Sequence, residues 1–271
     1  MKSIFKISLL IIVLLPLQSR AGWLITGRYI DREGNTIMKR YFIQDNEVKV
    51  EKYNLIYSCN LKTGNIILVD PVKLVYVKTT FTAYYEKMKA IKLRRLNELL
   101  ALIPEEQKKE YESMYTAQVE QQLILPVLTY DSLIISQLPD SVKLLGRKTK
   151  KFVISDNGLK KEEFFYTNEV NIAPDMDFST FMRFVYLLEP EDKTIKYQAS
   201  GKYKELMKNG YVLRRFIFEE GYKSEWQVNN IEQKNIPAYE FMTPALCKEL
   251  TLDKWLSSRK EVDDNYYDDY E

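Results

Sequence analysis

Between residues 23 and 79 short apolar runs alternate with breaks that reverse the chain, and breaks this closely spaced favour hairpins. "WLITGRYI" is followed by the polar "DREGN", and "TIMKRYFIQ" leads through Asp45 and Asn46 into "EVKVEKY". There Val48 and Val50 point one way and Glu47, Lys49 and Glu51 the other, the alternation of a half-buried strand. "LIYSC", "NIILVD" and "KLVYVKTT" continue the series. Gly64 supplies a permissive backbone at the break "KTGN", and Asp70-Pro71 presets a turn at "DPVK". The expected product is an antiparallel meander. Its most apolar part, residues 64–78, reads as a central hairpin that buries against the helices that follow. A full Leu or Val burial contributes about 1.5–3 kcal/mol, so whichever of Leu74 and Val75 faces inward should not tolerate Asp.

The period then changes. "FTAYYEKMKAIKLRRLNELLALI" has few β-branched residues and no Gly; Leu93, Leu96, Leu100 and Ile103 recur at helical spacing beside a stripe of Tyr84, Met88 and Ile91. Pro104 kinks this helix or starts a second one, with Glu105 and Glu106 suited to the positive end of its dipole, running to about Leu123. Residues 124–147 carry two prolines and read as a strand, a covering loop, or both. "KKFVISDNGLKKEEFFYT" is a hairpin about Asp-Asn-Gly. "DMDFSTFMRFVYLLEP" predicts a short helix capped by Asp175 or Asp177, and "SGKYKELMKNG" another, with Ser200 as N-cap and Gly210 as stop. A second hairpin turns near Gly221, placing Phe216 with Phe218 on one face and Trp226 with Val228 on another. "EFMTP" reads as a last short strand and "LDKWLSS" as a terminal helical turn. Strands, helices, then strands argue for α+β rather than βαβ alternation.

The first residues, MKSIFKISLLIIVLLPLQSRAGW, combine a basic start, a short apolar core and small residues at Ser19 and Ala21. That is the pattern of a secretory signal peptide over 1–21. The core is too short to span a bilayer comfortably, though an uncleaved anchor is the rival reading. Removing the segment takes Lys2, Lys6 and Arg20 with it, so the balance moves from +2 to −1 (40 − 3 = 37 basic against 38 acidic residues). Nothing remains of a basic footprint for nucleic acid. Residues 22–258 form the expected single domain, with the helical segment 81–123 inserted between strand groups, and the acidic, tyrosine-bearing 259–271 reads as a disordered tail. Cys59 and Cys247 are the only cysteines. An oxidising envelope permits a bridge between them, and two unpaired thiols are the alternative.

The chain has no histidine. That removes Ser-His and Cys-His pairs, imidazole acid/base work and His-bearing zinc sites. No nucleophile elbow, P-loop or dinucleotide fingerprint is present. The close carboxylate pairs Asp175/Asp177, Asp263/Asp264 and Glu105/Glu106 each have a simpler explanation in capping, first-turn placement or a solvated tail, although a carboxylate-dependent hydrolase is the remote alternative. No catalytic residue, cofactor or metal is expected. Tyrosine is frequent, 20 residues in 271, and an apolar ring with one polar tip suits a cavity that meets water at its mouth. Tyr76, Phe216, Phe218, Trp226 and Met242 are the candidate lining, with ordinary core packing as the alternative role.

A meander ending in a tyrosine-bearing apolar hairpin, long helices, "GYVLRRF" at 210–216 with its hairpin, and "NIPAYEFMTPALCKELTL" follow in that order. In this order and turn placement, over most of 23–255, the chain resembles a family of uncharacterised bacterial envelope proteins related in shape to the lipoprotein carriers LolA and LolB. The resemblance implies a strongly curved antiparallel sheet, a half-open barrel covered by helices, with a helical insertion longer than the family's. With the signal peptide, the expected protein is exported, periplasmic or secreted, and the first functional reading is a non-catalytic envelope protein that holds a lipid or other apolar ligand between sheet and helices. A fully packed module contacting an envelope protein is the alternative.

Overall fold

The computed structural model describes residues 21–123, 133–188, 197–198, 200–219 and 221–267, without the side chains of 99, 117–123 and 260–267. The expected signal peptide, apart from Ala21, lies outside the described residues.

Six strands form the meander: β1 Gly22–Ile30, β2 Thr36–Gln44, β3 Glu47–Glu51, β4 Ile56–Asn60, β5 Asn65–Asp70 and β6 Val75–Thr80, each antiparallel to the next. Their turns are built as the residues require. Asp45 and Asn46 both take positive φ, 51° and 67°, the two-residue geometry whose twist matches a hairpin. The Asp70 carboxylate accepts from the backbone N–H of Val72 and Lys73, at 3.0 and 2.8 Å. Helices α1 Phe81–Leu100 and α2 Glu105–Leu123 follow, then β7 Leu133–Leu144, β8 Arg147–Asp156 and β9 Leu159–Thr167. The ambiguous apolar stretch is therefore strand from 133 onward, and residues 124–132 lie outside the described ones. The β8–β9 hairpin turns on Asn157 and Gly158, both at positive φ. Two short helices, α3 Phe178–Leu188 and α4 Gly201–Met207, precede the hairpin β10 Tyr211–Glu219 and β11 Tyr222–Lys234, and the chain continues through β12 Lys248–Glu249 into α5 Leu252–Tyr267.

The twelve strands of the described residues join in one open, curved sheet, in the order β12-β6-β5-β4-β3-β2-β1-β11-β10-β9-β8-β7. Pairing of β1 with β11 unites the meander with the later strands, and among the described residues the only parallel pair is β12 with β6. The protein is thus α+β, with a mostly antiparallel sheet covered by helices. Along each strand alternate residues face an inner, helix-covered side. Ile25, Ile43, Val48, Val50, Leu68 and Val77 bury there with Phe184 and Leu187 of α3 and Trp255 of α5. A second cluster, Leu133, Phe152, Ile154 and Phe164, packs with Tyr203 and Met207 of α4.

Several expectations change. Residues 64–78 form a hairpin, but beside the sheet's edge rather than at its centre, because among the described residues only the two-residue β12 lies beyond β6. Strand order is a long-range property that local apolarity does not carry. Of the two inserted helices, α1 packs on the core through Tyr84, Met88, Ile91 and Leu93, whereas the described side chains of α2 are not buried. "EFMTP" is not a strand: Ala238–Phe241 is a 3-10 turn, and the free edge of β6 pairs instead with Lys248 and Glu249. Residues 235–250 cross the outer face as a strap, held by Lys49 Nζ to Glu240 (3.1 Å), Tyr76 OH to Glu249 (2.9 Å) and Ile236 N–H to Gln44 (2.8 Å). The terminal helical turn is a helix that reaches Tyr267, taking in most of the segment expected to open a tail. Residues 268–271 lie outside the described ones. Ser200 caps α4 as expected, accepting from Tyr203 N–H at 3.3 Å. Gly210 serves close approach rather than a left-handed cap, since an added Cβ would sit 2.2 Å from the Thr167 carbonyl oxygen.

Candidate ligand cavity

The cavity is framed by α3, α4 and the inner faces of β1, β2, β10 and β11. Helix α3 is fixed by the β2–β3 turn: Asn46 donates its N–H to the Asp175 carbonyl and accepts from Asp177 N–H, both at 2.8 Å. Buried Asp175 also accepts from the Trp23 indole at 3.2 Å. Asp177 caps the helix, accepting from the N–H of Thr180 at 3.1 Å and its hydroxyl at 2.7 Å. Partial burial would raise this carboxyl's pKa, but these hydrogen bonds and Arg183 nearby hold it below the ordinary value. The pair "DMD" is therefore divided between an anchor and a cap. Helix α4 is held by Lys202 Nζ to the Leu133 carbonyl (2.8 Å) and by the Tyr166 hydroxyl to the Leu206 carbonyl (2.9 Å).

Between these elements lies a cavity of about 380 Å³. Its helical wall is Phe178, Phe181, Met182 and Val185, and its sheet wall includes Ile43, Tyr41, Tyr211 and Trp226. Trp226 meets Tyr41 edge-on, with ring centroids 5.7 Å apart, and lies across Gly27, where a Cβ would come within 2.4 Å of the indole. A register shift in the β1–β11 pairing falls at Thr26/Gly27, so the strand irregularity and the missing side chain together make room for the ring. At one end Arg215 pairs with buried Glu162, Nε to Oε1 at 2.6 Å, and donates to the Tyr203 hydroxyl. Burial pushes the phenols of Tyr203 and Tyr211 up from their ordinary value, so both stay protonated.

Of the five side chains singled out in the sequence, only Trp226 lines this cavity. Phe216 and Phe218 share a face, but it is the outer one, because the register sets Trp226 opposite Arg215 and Phe216 opposite Glu225. Phe216 there lies under Lys223 and Phe218 under Lys160, each ammonium 4.0 Å from the ring centroid. Tyr76 is on the outer face with Glu249, and Met242 is exposed on the strap. Cys59 and Cys247 are both free. Cys59 is buried in the inner core beside Val48 and Ile66, whereas Cys247 lies near Tyr76 beside the strap's edge strand, so of the two readings the unpaired thiols hold. Burial pushes the Cys59 thiol up and keeps it protonated.

Tyr29, Lys39, Tyr41 and Arg215 were not singled out, although Lys39, Tyr41 and Ile43 alternate along β2 as one face must. Among the described residues no group of three or more His, Cys, Asp or Glu is placed to hold a metal ion, and no helix is long and apolar enough to cross a membrane.

No protein-family model and no curated protein matches the chain. Solved structures to which it is similar include PNGF-II, at 11% identity and TM-score 0.35, covering 88% of this chain and 32% of that one. The complex of Pseudomonas aeruginosa MucA/MucB is similar at 9% identity and TM-score 0.39, covering 86% and 59%. A LolA superfamily protein from Nitrosomonas europaea is similar at 5% identity and TM-score 0.24, covering 84% and 92%. The chain thus spans about a third of the length of PNGF-II and less than two thirds of the second.

Proposed function

We propose that the protein is a non-catalytic binding protein of the bacterial envelope, exported to the periplasm or beyond, that holds an apolar or amphipathic ligand such as an acyl chain between sheet and helices. The observation that carries this reading is the cavity itself. Its volume falls in the range of small-molecule sites, and its walls are mostly apolar and aromatic with a few polar groups at defined places. About ten methylenes buried there would contribute about 8 kcal/mol, at about 0.8 kcal/mol each. That scale supports micromolar binding only where little ordering is needed, and α3 and α4 are already fixed by the contacts above. The apolar, basic-ended N-terminus supports export, and the absence of histidine favours binding over catalysis.

The test is titration of lipid-stripped protein with a fluorescent fatty acid. Saturable binding is expected, weakened at least fivefold by Trp226→Ala and unchanged by Met242→Ala on the exposed strap. Unsaturable binding, or equal binding by both variants, would overturn the proposal.

A further inference from the structure

The lining of the cavity is unbalanced in charge. Among the described residues it contains Lys39, Lys52, Lys204, Lys208 and Arg215 but only one carboxylate, Asp177. The whole chain, with 40 basic and 38 acidic residues, is nearly balanced, so the excess is local. Part of it is answered within the fold. Arg215 has Glu162, Lys208 has Glu205, and Asp177 is occupied in capping α3. Lys39 instead stands over the ring of Tyr29, 4.9 Å from the centroid, and that ring lines the cavity. Among the described residues no carboxylate is paired with Lys39 or Lys204. Lys39 comes from the sheet, while Lys204 lies on α4 and Lys208 one turn on at its C-terminal cap, so the cations approach from two elements. Long aliphatic stems let such ammonium groups reach a polar head while covering an apolar chain.

Resting on the binding reading above, we propose that the cavity selects single-chain amphiphiles with an anionic head, a carboxylate or a phosphate monoester, received by Lys39 and Lys204. An anion placed among these groups gains charge-assisted hydrogen bonds. A neutral head of equal chain length gains only the burial of its chain, and a cationic head meets like charge.

The test uses lipid-stripped protein carrying a neutral fluorescent probe, N-phenyl-1-naphthylamine, displaced by dodecanoate, dodecyl phosphate, dodecanol or dodecylammonium. The anions should displace at concentrations about tenfold below dodecanol, with dodecylammonium weakest. The anionic advantage should shrink between about 0.05 and 0.5 M salt as screening grows. In Lys39→Gln/Lys204→Gln the ratio of dodecanol to dodecanoate half-displacement concentrations should fall about tenfold, from about two- to fivefold per ion pair. An advantage for one anion alone supports the proposal with the head narrowed to that chemistry. Equal displacement by all four, or a ratio that the double variant leaves unchanged, overturns the anionic preference while the cavity reading stands. Failure of the probe and of every competitor to bind overturns the cavity reading itself.

Discussion

Val77 and Leu74 belong to one apolar run, yet the structure gives them opposite fates. Val77 is 1% exposed and lies across from Leu68 on the inner face. Leu74 is 53% exposed, at φ 53° in the turn after Asp70. Val77→Asp loses the valine burial, about 1.5–3 kcal/mol, and must either bury a carboxylate or protonate it. Protonation sets the ceiling: holding a carboxyl of ordinary pKa about 3.9 neutral at pH 7 costs about 4 kcal/mol, at 1.36 kcal/mol per unit. The total is about 6–7 kcal/mol, a large share of the 5–15 kcal/mol typical of a domain. For a chain of this size that lowers the melting temperature by about 12–28 °C. Leu74→Asp should move it by little, because surface substitutions stay within about 0.5 kcal/mol and Asp tolerates positive φ better than Leu. The sign with pH follows from linkage. The introduced carboxyl has a folded pKa raised above its unfolded value, so its cost is absent below about pH 3.9 and grows as pH rises. Melting both variants by circular dichroism at pH 7 and pH 5 tests this. Val77→Asp should recover about 2.7 kcal/mol relative to wild type at pH 5. Equal melting of the two variants, or no recovery, would refute the assigned facing of the hairpin.

Gly27→Ala would drive a Cβ to 2.4 Å from the Trp226 ring and 2.6 Å from the Gln227 carbonyl oxygen. It should destabilise by about 1–3 kcal/mol, as overpacking does, and shift tryptophan emission; an unchanged melt and spectrum would contradict the packing. Arg215→Ala leaves Glu162, whose side chain is 1% exposed, without its ion-pair partner and should cost about 3–5 kcal/mol by urea denaturation. Arg215→Met with Glu162→Leu should cost clearly less than the single change, and a larger loss would contradict the pairing. Thiol titration should find two reactive cysteines in denaturant and at most Cys247 in the native protein, whereas none under both conditions would reveal a bridge.

The local devices were legible because their causes are local. Asp45-Asn46, Asn157-Gly158 and the Ser200 cap are chemistry within four residues, and the period change at Phe81 marks the first helix. The candidate site was less legible because it depends on register. Period-two spacing puts Phe216 and Phe218 on one face, as they are, but which face points inward is fixed by the alignment of β10 with β11, where Trp226 meets Arg215. The exclusion of Cys59 from a bridge, the edge position of β6 and the strap over the outer face depend likewise on which distant segments meet.

Quenching of Trp226 by a fatty acid brominated near mid-chain measures chain and cavity wall together. Saturable quenching of wild-type emission, lost in a folded Trp226→Phe variant that retains Trp23 and Trp255, is the predicted result. Emission that the brominated acid leaves unchanged, or quenching that survives in Trp226→Phe, would contradict an acyl chain between the sheet and its two short helices.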